Sequence, residues 1–140
     1  MIDEIIDGFA TYDMTDDELA NEFFFDFLGG NLALGDIKYN QIDRCTRSSG
    51  DITEKFDAIL TTDSDVVIVA IKYKAHEKDL EKLITKKHEN FKKLFPIYKD
   101  YTHHLALASF HINEDLKEKA LEQGVIVLQR KGDVVETTTP

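Results

Sequence analysis

Asp57 and Lys72 stand in neighbouring apolar runs of one stretch, residues 56–74, which reads FDAILTTDSDVVIVAIKYK. The polar knuckle Thr61-Thr62-Asp63-Ser64-Asp65 between the runs predicts the turn of a β-hairpin. The second run, residues 66–71, is apolar at every position, the pattern of a central strand buried on both faces. Such a hairpin sets a carboxylate near the start of one strand and an ammonium group at the end of its neighbour, where both can meet one ligand. The charge that follows indicates an anion, for residues 72–99 hold nine lysines against four acids. Lys82, Lys86, Lys87, Lys92 and Lys93 are placed to track a nucleic-acid backbone, and Arg44, Arg47 and Lys74 are further candidate phosphate contacts. A solvated helix face that merely solubilises is the plainer reading of the same lysines.

The net charge of −10 does not exclude such a partner. Ten Asp and Glu and no Lys or Arg fall within residues 1–37, so the imbalance is local and an anionic partner is confined to one face. At 140 residues the chain fits one domain, 1–140, and 42% hydrophobic with 31% charged residues is the balance of a soluble globular protein. No apolar run approaches the ~18 residues of a membrane span, so no membrane partner is expected. The acidic start Met1-Ile2-Asp3-Glu4 reads as neither a secretory signal nor a mitochondrial presequence. The one cysteine, Cys45, excludes an internal disulfide and a multi-cysteine zinc site, and the expected location is a reducing cytoplasm.

The elements that must position these groups follow from periodicity. Residues 2–28 predict helix, interrupted at Asp13-Met14-Thr15. Thr15 and Glu18 form a capping-box pair, and Leu19, Phe23, Phe24, Phe27 and Leu28 form an apolar stripe ended by Gly29-Gly30. Residues 37–46 predict a first strand and 44–50 a loop or bent strand end, and the two runs around the knuckle complete a three-strand meander. After Lys74 the period becomes helical. Residues 76–95 carry Leu80, Leu83, Ile84, Phe91, Leu94 and Phe95 on one side and lysines on the other, and Pro96 stops them. Residues 104–110 predict a buried strand, 114–123 a helix capped by Asn113 and Gly124, 125–128 another strand and Val134-Val135 a last short one. Thr137-Thr138-Thr139-Pro140 is expected to fray. The order α-β-β-β-α-β-α-β predicts an α/β fold, a mixed central sheet with helices on both faces.

That order, with an acid on the second strand and a lysine ending the third, resembles the PD-(D/E)XK nuclease superfamily, in its Holliday-junction-resolvase-like and uncharacterised endonuclease-like branch. The resemblance implies a restriction-endonuclease-like fold and Mg²⁺- or Mn²⁺-dependent hydrolysis of nucleic-acid phosphodiester bonds. DNA is the substrate it implies first and RNA the alternative, and resolvase-like relatives are often homodimers. Carried onto this sequence, it assigns the first acid to Asp57, the catalytic lysine to Lys72 and the helix glutamate to Glu22, with Glu18 as the alternate. The metal would be held by Asp57, Glu22 and the backbone carbonyl of Ile71. The 13-residue separation between Asp57 and position 70 is ordinary for the family. The lysine-rich helix, Ser109-Phe110-His111-Ile112 and Gln129-Arg130-Lys131-Gly132-Asp133 extend the likeness along the chain.

The pattern breaks at Ala70, where the family has a second carboxylate two residues before the lysine and on the same strand face. Magnesium is usually held by one or two carboxylates with waters and phosphate, so methyl for carboxylate weakens metal binding and leaves hydrolysis absent or strongly impaired. Three readings of the alanine stand open. It is an inactivating substitution in an active enzyme, or the mark of a pseudo-nuclease kept as a non-catalytic binding or assembly module, or the acid has moved to the following helix, where Glu77 and Glu81 are the donors. A structural α/β protein with no nucleic-acid role is the rival that the net charge favours. Other chemistry has little support. His103 and His104 point to opposite strand faces, His111 reads as a strand-end residue, and His76 and His88 read as helix-surface residues. Cys45 lacks a histidine-based nucleophile pattern.

Overall fold

The polar knuckle closes because its side chains take over the backbone's donors: Thr62 Oγ1 accepts the amides of Asp65 and Ser64 at 2.7 and 3.0 Å. Asp65 is held further by His104, whose Nε2 lies 2.9 Å from Oδ1 and keeps the Asp65 carboxyl below the usual carboxylate range. The computed structural model describes residues 14–140. Helix α1 (Asp16–Asn31) leads into a small hairpin, β1 (Ala33–Leu34) and β2 (Ile37–Lys38), then into β3 (Gln41–Ser49), β4 (Ile52–Thr61) and β5 (Asp65–Lys74). Helix α2 (Glu77–Lys82) passes through a π-helical turn, Leu83–Lys87, into α3 (His88–Leu94). Strand β6 (Thr102–His111), helix α4 (Glu114–Glu122), β7 (Val125–Lys131) and β8 (Val134–Thr138) follow. Strands β3 to β8 form one six-stranded sheet in sequence order, with β5, β6 and β7 parallel and the other neighbours antiparallel. The fold is therefore α/β, a mixed sheet flanked by helices. Among the described residues no helix is long and apolar enough to cross a membrane.

Strand β5 is apolar throughout because both its faces are covered. Val66, Ile68 and Ala70 join the core under α2, α3 and α4, whereas Val67, Val69 and Ile71 join the core under α1. Lys72, two residues past Ala70, emerges on the side of α2. The core on that side is filled by Leu80, Leu83 and an aromatic group, Phe91 stacked on Phe95 at 4.8 Å with Phe56 edge-on to both.

Several sequence expectations need correction. The buried line of α1 is Ala20, Phe24 and Leu28, with Leu19, Phe23 and Phe27 only partly covered; Phe23 lies edge-on to Phe110 with the Arg130 guanidinium over its ring. The helix runs through Gly29-Gly30 and ends at Leu32, whose φ of 56° is left-handed. Residues 37–46 are not one strand. The Tyr39 hydroxyl donates to the Leu28 carbonyl at 2.5 Å, and burying that ring under α1 breaks the strand between β2 and β3. Of the two readings of residues 44–50, the bent strand end holds: residues 44–49 continue β3 past an irregularity in register and are closed by Gly50 at φ 60°. Thr137 and Thr138 do not fray but pair with Leu128 and Val127. The helical piece expected over residues 2–12 lies outside the described residues.

Candidate functional site

A cleft opens where β4 and β5 part. The two strands pair only from Ala58 opposite Val69 to Thr61 opposite Val66. Residues 52–56 of β4 stay with residues 45–49 of β3 instead. Asp43 opposes Ile59 but Cys45 opposes Phe56, so Asp57 and Ala58 together face Arg44 in a β-bulge. The edge of β5 beyond Val69 thus loses its strand partner, and two carboxylates replace it. Asp57 Oδ2 accepts the Ile71 N–H at 2.9 Å, and Asp17 Oδ1, from the first turn of α1, accepts the Tyr73 N–H at 2.8 Å. Asp57 is 9% exposed, and a buried amide left bare costs about 1–3 kcal/mol, so this acid has structural work in the fold.

The cleft has a volume of about 360 Å³ and is lined by Asp57 of β4, residues 70–72 of β5 and Lys82, Lys86 and Lys87 beside α2. Ala70, 6% exposed, is part of its floor, and Lys72 is half-buried in its wall. The π-helical turn carries Lys86 and Lys87 onto the cleft beside Lys82, and the Thr85 hydroxyl stabilises the turn by donating to the Glu81 carbonyl at 2.6 Å. Lys87 is neutralised there, 3.6 Å from Glu54 and donating to the Lys55 carbonyl at 2.7 Å. Lys55, Lys72, Lys82 and Lys86 also line the cleft and have no ion-pair partner among the described residues. Four carboxylates, Asp17, Glu54, Asp57 and Asp79, line the same cleft, so its lining carries five ammonium groups against four acids, with the acids bonded to Tyr73, Lys87, Ile71 and His76.

The other candidates are distributed elsewhere. Glu22 is bound to Arg44 at 2.7 Å, and the Arg44 guanidinium lies 4.2 Å over the Phe25 ring, so this pair is committed to each other. Both line an adjoining hollow of about 350 Å³ with Glu18 and Cys45, which meets the cleft at Asp17, Asn21, Lys55 and Asp57 but does not reach Lys72. Arg47 lies 4.4 Å over Phe95, and Lys74 lies in depressions further along β5. Glu77 is ion-paired with Lys119, and neither Glu77 nor Glu81 lines the cleft. The acid of α2 that does so is Asp79, 8% exposed, whose Oδ2 accepts the His76 amide at 2.8 Å.

Asp17, Asn21, Glu54, Lys55 and Asp79 therefore belong to the cleft without having been singled out in the sequence. Lys55 carried a signal, standing two residues from Asp57 in the same strand. Asp17 and Asp79 stand in the first turns of α1 and α2, where acids are ordinary, and the sequence carries no further signal for them.

The donor set does not fit a divalent cation. Asp57 spends one oxygen on the Ile71 N–H, position 70 offers a methyl group and Glu22 is ion-paired with Arg44, so of the expected ligands only the other Asp57 oxygen and the Ile71 carbonyl are left to a cation. Among the described residues no three His, Cys, Asp or Glu side chains converge to hold a metal ion. No protein-family model, curated protein or solved structure matches the chain.

Proposed function

We propose that this chain binds a nucleic-acid strand by its phosphates in the cleft between Asp57 and Lys72 and leaves the strand intact. It is a non-catalytic module on a restriction-endonuclease-like scaffold. The observation that carries this reading is the cleft's composition: five lysines against four acids already bonded within the fold, four of the lysines without ion-pair partners among the described residues, and the methyl group of Ala70 in place of a further carboxylate. The order of elements supports the scaffold: a helix, an antiparallel three-strand meander, a crossover helix and a strand parallel to the third are the core that the PD-(D/E)XK resemblance implies. Phosphate contacts of this kind give sequence-independent, salt-sensitive binding, and DNA is the expected ligand with RNA the alternative.

A metal-dependent nuclease is the second reading, favoured by Asp57 and Lys72 sharing one cleft. It requires a second carboxylate, and Asp79, the acid of α2 in the cleft, is already bonded to the His76 amide. Anisotropy of a fluorescein-labelled single-stranded DNA, run beside a plasmid-nicking assay with Mg²⁺ or Mn²⁺, separates the two for the native chain and Ala70→Glu. Binding without nicking by the native chain is expected, with nicking gained by Ala70→Glu if the scaffold is a nuclease's. Nicking by the native chain would contradict the non-catalytic reading, and absence of binding would contradict both.

A further inference from the structure

The cleft does not end at Lys72. A shallower depression of about 290 Å³ shares Asp17, Lys72 and Asp79 with it and adds Tyr73, Lys74 and Lys78. That depression in turn shares Lys74 and His76 with a pocket of about 820 Å³ bordered by His111, Gln129 and Lys119. The three hollows form one groove running from β4 across the carboxyl ends of the parallel strands β5, β6 and β7. The carboxyl edge of parallel strands is where open α/β sheets receive their ligands, because loops and helix starts diverge there. Ser109, fully buried, ties this edge together by accepting the Ala75 amide at 3.2 Å and lying 2.8 Å from the His111 carbonyl.

We propose that a single-stranded nucleic acid held in the cleft continues along this groove and places its flanking nucleotide in the large pocket past Lys74. The inference rests on the binding reading above and adds the path and the strandedness of the ligand. The chemistry alternates as a single strand requires. Lys72, Lys74 and Lys78 supply cations along the way, set against Asp16, Asp17 and Asp79, and Tyr73 and His111, packed edge to face at 5.0 Å, form one aromatic patch for an unstacked base to lie against. Glu77 adds no net repulsion, being paired with Lys119, and Asp115 is the remaining acid of the pocket lining. A pocket of about 820 Å³ lies within the range of sites that enclose a small ligand, and a base can enter it only when it is not stacked in a duplex. From β4 to β7 the groove crosses the gap where β4 and β5 part and two strand spacings of ~4.8 Å, a span for a strand of a few nucleotides.

The test uses oligo(dT) of two to eight nucleotides, titrated into isotope-labelled protein and followed by amide shifts so that weak binding by the shortest is measured. Affinity rises with each added nucleotide to a length of about four or five and then levels off. In Lys74→Gln and His111→Ala the rise stops about two nucleotides earlier, the longer strands bind about fivefold more weakly, and (dT)₂ binds as it does to the native chain. A native plateau already at (dT)₂, equal losses for short and long strands, or no loss in either variant would overturn the path while leaving the cleft's binding intact. Failure of every oligonucleotide to bind would overturn the cleft reading and the path with it.

Discussion

Replacing the cleft lysines tests the proposed mode of binding through its salt dependence. Lys55, Lys72, Lys82 and Lys86 line the cleft without ion-pair partners among the described residues, whereas Lys87 is already neutralised by Glu54. Each lysine that meets a phosphate of a single strand contributes about −0.7 to the slope of log affinity against log salt, so the four contribute about −2.8. Between 50 and 200 mM salt that slope amounts to about a 50-fold loss of affinity. The double variant Lys72→Gln/Lys86→Gln lowers the slope by about 1.4, so the cleft's share of the loss falls to about sevenfold. Lys87→Gln changes the slope less, because its charge is spent on Glu54. Lys92→Gln leaves it unchanged, since Lys92 is exposed on α3, paired with Glu89, and outside the cleft. Anisotropy titrations of one labelled oligonucleotide at four salt concentrations read every slope. A slope near zero for the native chain, or one that responds to Lys92 and not to Lys72 and Lys86, would refute the assignment of the phosphates to this cleft.

Three further outcomes follow from the geometry. Asp57→Ala leaves the Ile71 amide without its acceptor and lowers stability by about 1–3 kcal/mol in urea melts, while Asp57→Asn, which keeps an oxygen there, costs less. Equal, negligible effects of both would show that the hydrogen bond does no structural work. Gly35→Ala destabilises the hairpin of β1 and β2, because φ is +60° there and the added methyl would meet Thr139 Cγ2 at 2.8 Å; thermal melts read the loss. Stability also falls in mild acid through His88. Its Nε2 lies 3.1 Å from His103 Nδ1, and His103 Nε2 donates to the Tyr98 carbonyl at 2.8 Å, so the His88 ring is held partly buried in a chain of bonds. Burial foremost, then the charges of Lys92 and His103, depresses the His88 pKa below its ordinary 6.5. The unfolded chain therefore binds the proton more readily. The contribution is complete above pH ~6.5 and is lost as pH falls through the depressed folded value. Urea melts at pH 7.5 and 5.5 for the native chain and His88→Gln measure it, and an identical pH dependence in both would contradict the assignment.

Periodicity made the scaffold legible because burial repeats at a fixed interval. The unbroken apolar run of β5 declared a strand covered on both faces, and the change of period after Lys74 declared the helix that covers one of them. The juxtaposition of Asp57, position 70 and Lys72 followed from the same hairpin. The site's detail depended on two departures from regularity that carry no such signature. The β-bulge at Asp57 and Ala58 turns β4 away from β5, and the π-helical turn re-aims the lysines that follow Lys82. Glu22 had the right helix and a reasonable spacing, but Arg44, placed opposite the bulge, reached it first. Asp17 and Asp79 lie in the first turns of their helices, where acids are ordinary, and each also stands at the cleft.

The central claim is that a nucleic-acid strand lies in this cleft and stays whole. An amide-shift titration of the isotope-labelled chain with a single-stranded oligonucleotide, in the presence of Mg²⁺ and with the oligonucleotide's length checked afterwards, tests it most directly. Shifts clustered at Lys55, Asp57, residues 70–73 and residues 82–87 are expected, with the strand recovered at full length. Shifts confined to β8 or to the exposed face of α3, no shifts at all, or recovery of a cut strand would contradict it.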